Sequence, residues 1–126
     1  MASGPVPGNM RSCTASEVLE QFWLVELTGD LTVGATDGIT DTVYGVTQAE
    51  AASGAGVPVQ HSGETYIKLG GTVTAGDRVS PKATADGVAI VAASGARACG
   101  IFLEGGVSGD IVRMQLGNNY NDELMT

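Results

Sequence analysis

Residue types that often carry chemistry are scarce in this chain, and their spacing matches none of the common catalytic motifs. The single histidine, His61, follows a strand pattern and has no Asp or Glu at metal-ligand spacing. No GxSxG, Ser-x-x-Lys, Walker A or GxGxxG motif occurs, so the glycines punctuate strands and do not cradle phosphate. The sequence therefore predicts no catalytic and no cofactor-binding residues, and a protein that is not an enzyme. A pair of carboxylates for general acid–base catalysis needs only two residues, so sequence alone leaves that chemistry open.

Three acidic residues, Asp37, Asp41 and Glu50, could approach a cation in a loop. Their spacing lacks the pattern of a calcium-binding loop, in which ligands alternate over twelve residues. The sequence therefore predicts a solvated acidic loop and no metal site.

The two cysteines, Cys13 and Cys99, lie far apart in the chain without a CxxC motif. This pattern predicts two free thiols rather than a disulfide or a metal site. Cys99 stands in the apolar run ACGIFL, which predicts a small core residue.

Charge argues against two classes of partner. Fourteen acidic residues outnumber six basic ones and give a net charge of −8, and the basic residues are scattered. Binding to nucleic acid or to anionic membranes depends on clustered Lys and Arg, so neither partner is expected. No stretch approaches the roughly 18 apolar residues of a membrane span, and residues 1–13 carry no apolar signal core. Synthesis in the cytoplasm is the expectation.

The elements that must position these residues are predicted to be strands. The 126 residues suffice for one domain, only 5% are aromatic, and nineteen glycines separate short runs rich in Val and Thr. Glycine-punctuated short strands predict an all-β fold, a small barrel. The predicted strands are 22–28, 42–47, 57–61, 65–69, 77–80, 88–92, 98–103 and 110–116.

The ends of the chain differ from its middle. Residues 1–21 contain Pro5 and Pro7 among small polar residues and are predicted to be an extended N-terminal arm, with at most a helical turn at 17–21. Residues 22–117 form the single β domain, and residues 118–126 a loose C-terminal tail. The strand 22–28 is apolar on both faces, which predicts that the arm or a partner covers one of them.

An internal repeat organises the domain. Residues 45–60 match residues 100–115 without a gap, at Gly45 with Gly100, Gly54 with Gly109, Val57 with Val112 and Gln60 with Gln115, among others. A second pair, residues 27–34 (LTGDLTVG) and 69–76 (LGGTVTAG), precedes them in the same order. The sequence thus predicts two quasi-repeated halves, 22–63 and 64–117, which close on each other because neither half covers its own apolar face.

The run 72–116 resembles the bacteriophage capsid decoration, or cement, proteins. Two motifs carry the resemblance: V-x-A-G-D-x-V, at Val73, Ala75, Gly76, Asp77 and Val79, and G-x-x-L-E-x-x-x-x-G-D-x-V, at Gly100, Leu103, Glu104, Gly109, Asp110 and Val112. The N-terminal half fits the same pattern, so that the resemblance covers roughly residues 22–117.

The resemblance implies a β-tulip-like or small β-barrel fold and a structural role. Such proteins dock on the outside of the expanded capsid, commonly as trimers, and staple neighbouring major capsid subunits. Their N-terminal arm often adds a strand to the lattice. The residues expected to contact the capsid or a partner are Pro5, Val6, Pro7, Met10, Phe22 and Trp23.

Three alternatives remain open from the sequence. A lipoyl- or biotinyl-carrier domain shares the V-x-A-G-D-x-V turn, although neither Lys68 nor Lys82 stands in a matching context. A small ligand- or carbohydrate-binding β module would display exposed aromatic residues. A tail or head-fibre component cannot be separated from a capsid surface protein by sequence.

Overall fold

The computed structural model describes residues 8–84 and 87–117. This part of the chain contains ten strands and no helix, and hence no helix that could cross a membrane. The strands are β1 (Met10–Ala15), β2 (Leu24–Gly29), β3 (Thr32–Ala35), β4 (Gly45–Thr47), β5 (Gly56–Gln60), β6 (Gly63–Lys68), β7 (Arg78–Pro81), β8 (Ala89–Val91), β9 (Gly100–Phe102) and β10 (Ile111–Leu116). The predicted all-β, barrel-like fold is confirmed.

The first five strands close into a barrel in the order β1-β3-β2-β4-β5. All pairs are antiparallel except β1 with β3, where Thr14 and Ala15 run parallel to Thr32 and Val33. Alternation along each strand points every second side chain inward. The interior is filled by buried apolar residues without an aromatic ring: Cys13, Ala15, Leu19, Val25, Val33, Ala35, Ala51, Val57 and Val59.

The last five strands form a second sheet in the order β6-β10-β9-β7-β8. Among the described residues, its two edges meet at one parallel bridge, Leu69 with Ala89. This bridge corresponds to the Ala15–Val33 pair of the first barrel. The sheet is therefore a second barrel of the same strand order, closed less completely than the first.

Strand registers confirm the repeat between residues 45–60 and 100–115. Val46 of β4 pairs with Gln60 of β5, and the matched Ile101 of β9 pairs with Gln115 of β10. The turns before β5 and β10 agree as well, because Gly54 donates its N–H to Ala15 O and Gly109 donates its N–H to Leu69 O. A similar backbone is thus built twice from weakly similar residues.

The second predicted pair, 27–34 with 69–76, is wrong as a structural equivalence. Leu19 forms an isolated bridge with Ala51, and Val73 forms the matching bridge with Gly106. The counterpart of residues 69–76 is therefore 15–22. The shared glycines and threonines in 27–34 reflect turn composition and not common position.

The first repeat begins earlier than the sequence suggested. Residues 10–15, predicted to belong to the arm, form barrel strand β1, which pairs along its length with β5. Residues 17–21 contain no helical turn, and β3 is a strand that the sequence did not predict. Residues 1–7 of the predicted arm and residues 118–126, the predicted tail, lie outside the described residues.

Residues 22–24 join the two barrels through the main chain. Lys68 on β6 donates its N–H to Phe22 O at 3.0 Å, and Leu24 donates its N–H to Gly87 O at 2.7 Å. Thr14 on β1 is the residue of the first barrel that corresponds to Lys68. Its N–H donates to Leu31 O, next to β3, and so helps to close the first barrel between β1 and β3. Residues 22–24 thus lie between β6 and the segment that leads into β8, where the second barrel is incompletely closed.

Side chains fill the same junction. Leu24, Val43 and Val46 belong to strands or loops of the first barrel, yet they pack into the core of the second with Ile67 and Met114. Burial of these aliphatic groups stabilises the contact by roughly 25 cal/mol per Å² of apolar surface removed from water. The two barrels therefore share one apolar interface.

Candidate partner-binding surfaces

Phe22 is fixed at the junction in an unusual backbone conformation. Its φ is 65°, the left-handed region that non-glycine residues rarely adopt. Its N–H donates to Thr47 O at 2.8 Å, and its ring packs edge-on against Tyr66 with centroids 5.6 Å apart. The ring is half-buried, so the junction presents part of it at the surface.

Met10 and Phe22 share a groove of about 290 Å³. Met10 is 52% exposed at the start of β1, and Tyr66 lies in the same groove. The guanidinium of Arg113 lies 6.0 Å from the centroid of the Tyr66 ring, within reach of a cation–π contact. The structure therefore brings together two of the residues predicted to contact a partner.

Trp23 lines a different cleft, between the barrels. This cleft, of about 270 Å³, also contains Lys68 and Lys82. The Lys82 ammonium donates to Gly70 O at 3.2 Å, while the buried indole N–H of Trp23 has no acceptor among the described residues. Gly87 packs against the indole with a φ of +64°, and a Cβ there would lie 2.8 Å from the Trp23 Cβ. Pro5, Val6 and Pro7 lie outside the described residues.

A third cleft, larger than the two that Phe22 and Trp23 line, was missed by sequence reasoning. It encloses about 520 Å³ on the first barrel and is lined by Glu26, Leu27, Asp41, Thr42, Val43, Tyr44 and His61. Tyr44 and His61 stack with centroids 5.6 Å apart and form an aromatic wall. We call this feature the acidic cleft.

Three carboxyl groups converge at the acidic cleft. Oxygens of Glu26, Asp37 and Asp41 lie within 4.8 Å of one another. Burial of Glu26, followed by the negative charge of Asp41, raises the pKa of the Glu26 carboxyl to about 7. A hydrogen bond with Asp41 and its charge raise the pKa of Asp37. Such a group can share a proton, accept hydrogen bonds from a cationic side chain or bridge a cation.

Asp41 also organises the loop that carries this cluster. Its carboxylate accepts the N–H groups of Asp37 and Gly38 at 2.8 and 2.9 Å. Glu50, which the sequence grouped with Asp37 and Asp41, lines another groove beside Val18. The Asp37–Asp41 spacing was a usable signal, whereas nothing in the sequence pointed from these residues to Glu26 on β2.

Two leucines are exposed on the hairpin that joins β2 and β3. Leu27 is 50% exposed at the edge of the acidic cleft, and Leu31 is 49% exposed at the turn. Leu31 has a φ of 48°, again in the left-handed region. Together the hairpin and the acidic cleft form a surface with aliphatic, aromatic and acidic parts.

These features define an all-β protein made of two tandem five-stranded barrels with a shared interface. Its fold is similar to that of the N base of head fiber gp8.5 in bacteriophage phi29, a crystal structure, with a TM-score of 0.70. The match covers 86% of this chain and 93% of that chain at 15% sequence identity. No protein-family model matches the chain, and no curated protein matches it in sequence.

Proposed function

We propose that this protein is a structural component of a bacteriophage head that binds the outside of the expanded capsid and stabilises contacts between major capsid subunits. The observation that carries the proposal is the fold shared with the phi29 head fiber base over nearly the whole of both chains. The resemblance of residues 72–116 to capsid decoration proteins supports it independently, because that resemblance rests on local motifs and not on topology.

The physical properties of the chain suit such a role. A capsid offers many identical sites, so a protein bound to it gains avidity from many modest contacts instead of one tight site. The described surface carries exposed aliphatic residues spread over both barrels, including Met10, Val18, Val107 and Ile111. Small apolar contacts of this kind, repeated by symmetry, suffice for a non-catalytic role.

The finer parts of the proposal concern assembly. The partner is the major capsid protein, and the protein acts as a homo-oligomer, with a trimer favoured by the resemblance. It is made in the host cytoplasm and located on the outer surface of the virion. Met10 and Phe22, which share a groove, are the described members of the predicted contact set that could act together.

The test is co-sedimentation of the purified protein with matched phage shells that lack it, before and after expansion. Saturable binding to expanded shells only, with a fixed ratio to capsid subunits, is the expected result. Bound protein should also raise the temperature at which expanded shells rupture. A folded protein that sediments with neither kind of shell would overturn the proposal.

A second candidate function is binding of a small ligand or glycan, and one observation favours it. The acidic cleft, at about 520 Å³, lies within the size range of small-molecule sites and has the Tyr44–His61 wall. A glycan screen monitored by amide chemical shifts would separate it from the first candidate. The carrier alternative gains no support, because Lys68 lies within β6 beside Glu20 and Lys82 is held by Gly70 O.

A further inference from the structure

Strand β6 lies at one edge of the second sheet, and among the described residues the first half of β6 has a neighbouring strand on one side only. Leu69, just after β6, donates its N–H to Asp110 O, so the odd-numbered residues of β6 direct their backbone groups at β10. The even-numbered residues direct theirs at the opposite edge, where Lys68 donates to Phe22 O. The N–H of Tyr66 points the same way and has no acceptor within residues 8–84 and 87–117.

The free half of β6 opens into the groove that Met10 and Phe22 share, which we call the junction groove. Its walls include Tyr66 on β6 and the amide side chains of Gln48 and Gln60. An exposed strand edge pairs readily with another extended segment, because its backbone donors and acceptors lie in a row. The junction groove thus offers the backbone groups for one more strand, beside apolar and aromatic side chains.

The N-terminal end of the described chain lies at one end of the junction groove. His61 donates its N–H to Asn9 O at 2.9 Å, and Asn9 donates its own N–H to Ser62 Oγ at 2.9 Å. Gly8 packs on Ser62 so closely that a Cβ there would overlap the Ser62 carbonyl oxygen. Because β1 is antiparallel to β5, and Ser62 leads directly into β6, the chain upstream of Gly8 heads toward β6 in the opposite direction.

The spacing of the prolines in residues 3–7 (SGPVP) suits an edge strand. Successive N–H groups of an extended chain point to opposite sides, and proline has none. Pro5 and Pro7 therefore leave one side of this segment short of donors, while Gly4 and Val6 have N–H groups on the other side. Proline occurs in sheets mainly on edge strands, with its missing donor toward solvent. Five extended residues span roughly 16 Å, enough to follow most of β6.

We propose that residues 3–7 of this chain bind in the junction groove as an added strand, antiparallel to β6. The N–H groups of Gly4 and Val6 then face β6, and the N–H of Tyr66 gains a carbonyl acceptor. The side of the segment that is short of donors faces away from β6, so the sheet ends on an edge that resists further pairing.

This docking would also assemble most of the residues predicted to contact a partner. Pro5, Val6 and Pro7 would lie beside Met10 and Phe22 and form one continuous surface with them. The inference concerns contacts within one chain and does not depend on the proposed function.

Nuclear magnetic resonance of the full chain tests the docking directly. In an antiparallel pair, residues at the positions without hydrogen bonds have Cα atoms about 4.5 Å apart, which brings their Hα protons into contact. A nuclear Overhauser effect is therefore expected between the Hα of Pro5 or Pro7 and the Hα of Thr65. The Tyr66 amide should exchange with solvent within about tenfold of the rate of the Ile67 amide, which bonds to β10. Absence of the Hα contact, or a Tyr66 amide that exchanges like an unprotected one, would overturn the proposal.

Two proline substitutions form a matched pair, because they differ by one position in the chain. Gly4→Pro removes a donor on the side that faces β6, and Ser3→Pro removes one on the opposite side. Gly4→Pro should abolish the Hα contact and speed exchange of the Tyr66 amide by about tenfold or more, the effect of losing one hydrogen bond. Ser3→Pro should leave both unchanged. Equal effects of the two substitutions would contradict the predicted orientation of the segment and overturn the proposal.

A mixture of isotope-labelled and unlabelled protein identifies which chain supplies the segment. Docking within one chain gives no filtered Overhauser effect between labelled and unlabelled molecules. An effect between residues 3–7 of one copy and Tyr66 of another would refute docking within the chain and assign the junction groove to a neighbouring copy. None of these measurements involves a capsid, so their failure leaves the proposed function standing, and failure of the shell experiment leaves this inference standing.

Discussion

The environment of the Glu26 carboxyl shifts its pKa far enough to be detected by titration. The carboxyl has a folded-state pKa of about 7, above its ordinary value of 4.5, because of burial and the acidic neighbours Asp41, Asp37 and Glu17. The folded protein therefore binds this proton more tightly than the unfolded chain does. The resulting stabilisation is complete below the unfolded pKa and is lost as the pH rises through the folded pKa.

We therefore expect Glu26→Gln to flatten part of the pH dependence of stability. The urea midpoint of the variant should fall less than that of the wild type between roughly pH 5 and roughly pH 8. Circular dichroism measures both midpoints. Glu50→Gln, which changes an acid in a separate groove, should keep the wild-type dependence. Identical pH profiles for wild type and Glu26→Gln would contradict the proton-binding role of Glu26.

The two thiols should be inert in the folded protein. Burial raises the pKa of Cys99 to about 12, and burial also raises the pKa of Cys13. Because the thiolate is the reactive form, neither cysteine should react with a thiol reagent such as DTNB near pH 8 until the protein unfolds. The absorbance of released thionitrobenzoate should then report both groups together. Fast labelling of either cysteine under native conditions would show that its barrel opens locally.

At the scale of elements, the duplicated hairpins constrain the same positions twice. A β-carbon on Gly45 would overlap the carbonyl oxygen of Gln60, and one on Gly100 would overlap the carbonyl oxygen of Gln115. In the first barrel the glycine lets β4 approach β5 closely, and in the second it lets β9 approach β10 in the same way. Conservation of this contact between halves explains why the two glycines align while most neighbours differ.

Gly45→Ala and Gly100→Ala should each destabilise the protein by about 1–3 kcal/mol, because a methyl group forced into a packed backbone contact must displace a strand. Chemical denaturation of the two variants gives the comparison. The matched control is Gly56→Ala, since the nearest atom to its new methyl group would be Ser12 Oγ at 3.8 Å. A large loss at one glycine and none at the other would mean that the repeat is not energetically equivalent.

At the scale of the whole molecule, the two repeats differ in the residues of the face by which the first barrel packs against the second. Leu24 and Val46 of the first barrel are fully buried against the second, whereas their counterparts Arg78 and Ile101 are half-buried. The face of the first barrel that meets the second is aliphatic, and the equivalent face of the second barrel has a charged residue, Arg78. Burial at the interface explains this divergence, because only the covered face gains from apolar side chains.

Leu24→Ala should therefore weaken the molecule as a unit. Truncation of a buried leucine costs about 2–5 kcal/mol, and this one lies between the barrels, so the unfolding transition should shift for both together. Leu27→Ala, on the same strand but 50% exposed, should cost less than about 1 kcal/mol. Calorimetry of the two variants distinguishes the outcomes. A separate early transition in Leu24→Ala would show that one barrel is stable without the other.

Local patterns in the sequence were sufficient for the fold class and much of the repeat. Alternating Val and Ile, together with Ser-Gly and Asp-Gly turns, predicted eight of the strands, because side-chain period and turn chemistry act over a few residues. Gly45 with Gly100 and Gln60 with Gln115 aligned correctly, since strand register preserves their spacing. The motifs in 72–116 also supplied the resemblance that the proposed function uses.

Tertiary structure decided what depends on pairing between distant segments. Strands β1 and β3 have weak local signals and become barrel strands by closing the ring, where β1 gains backbone bonds to both β5 and β3. The acidic cleft likewise depends on the register of β2, which brings Glu26 to the loop of Asp37 and Asp41. Contacts of this kind are set by closure of the whole barrel, and no short-range pattern in the chain encodes them.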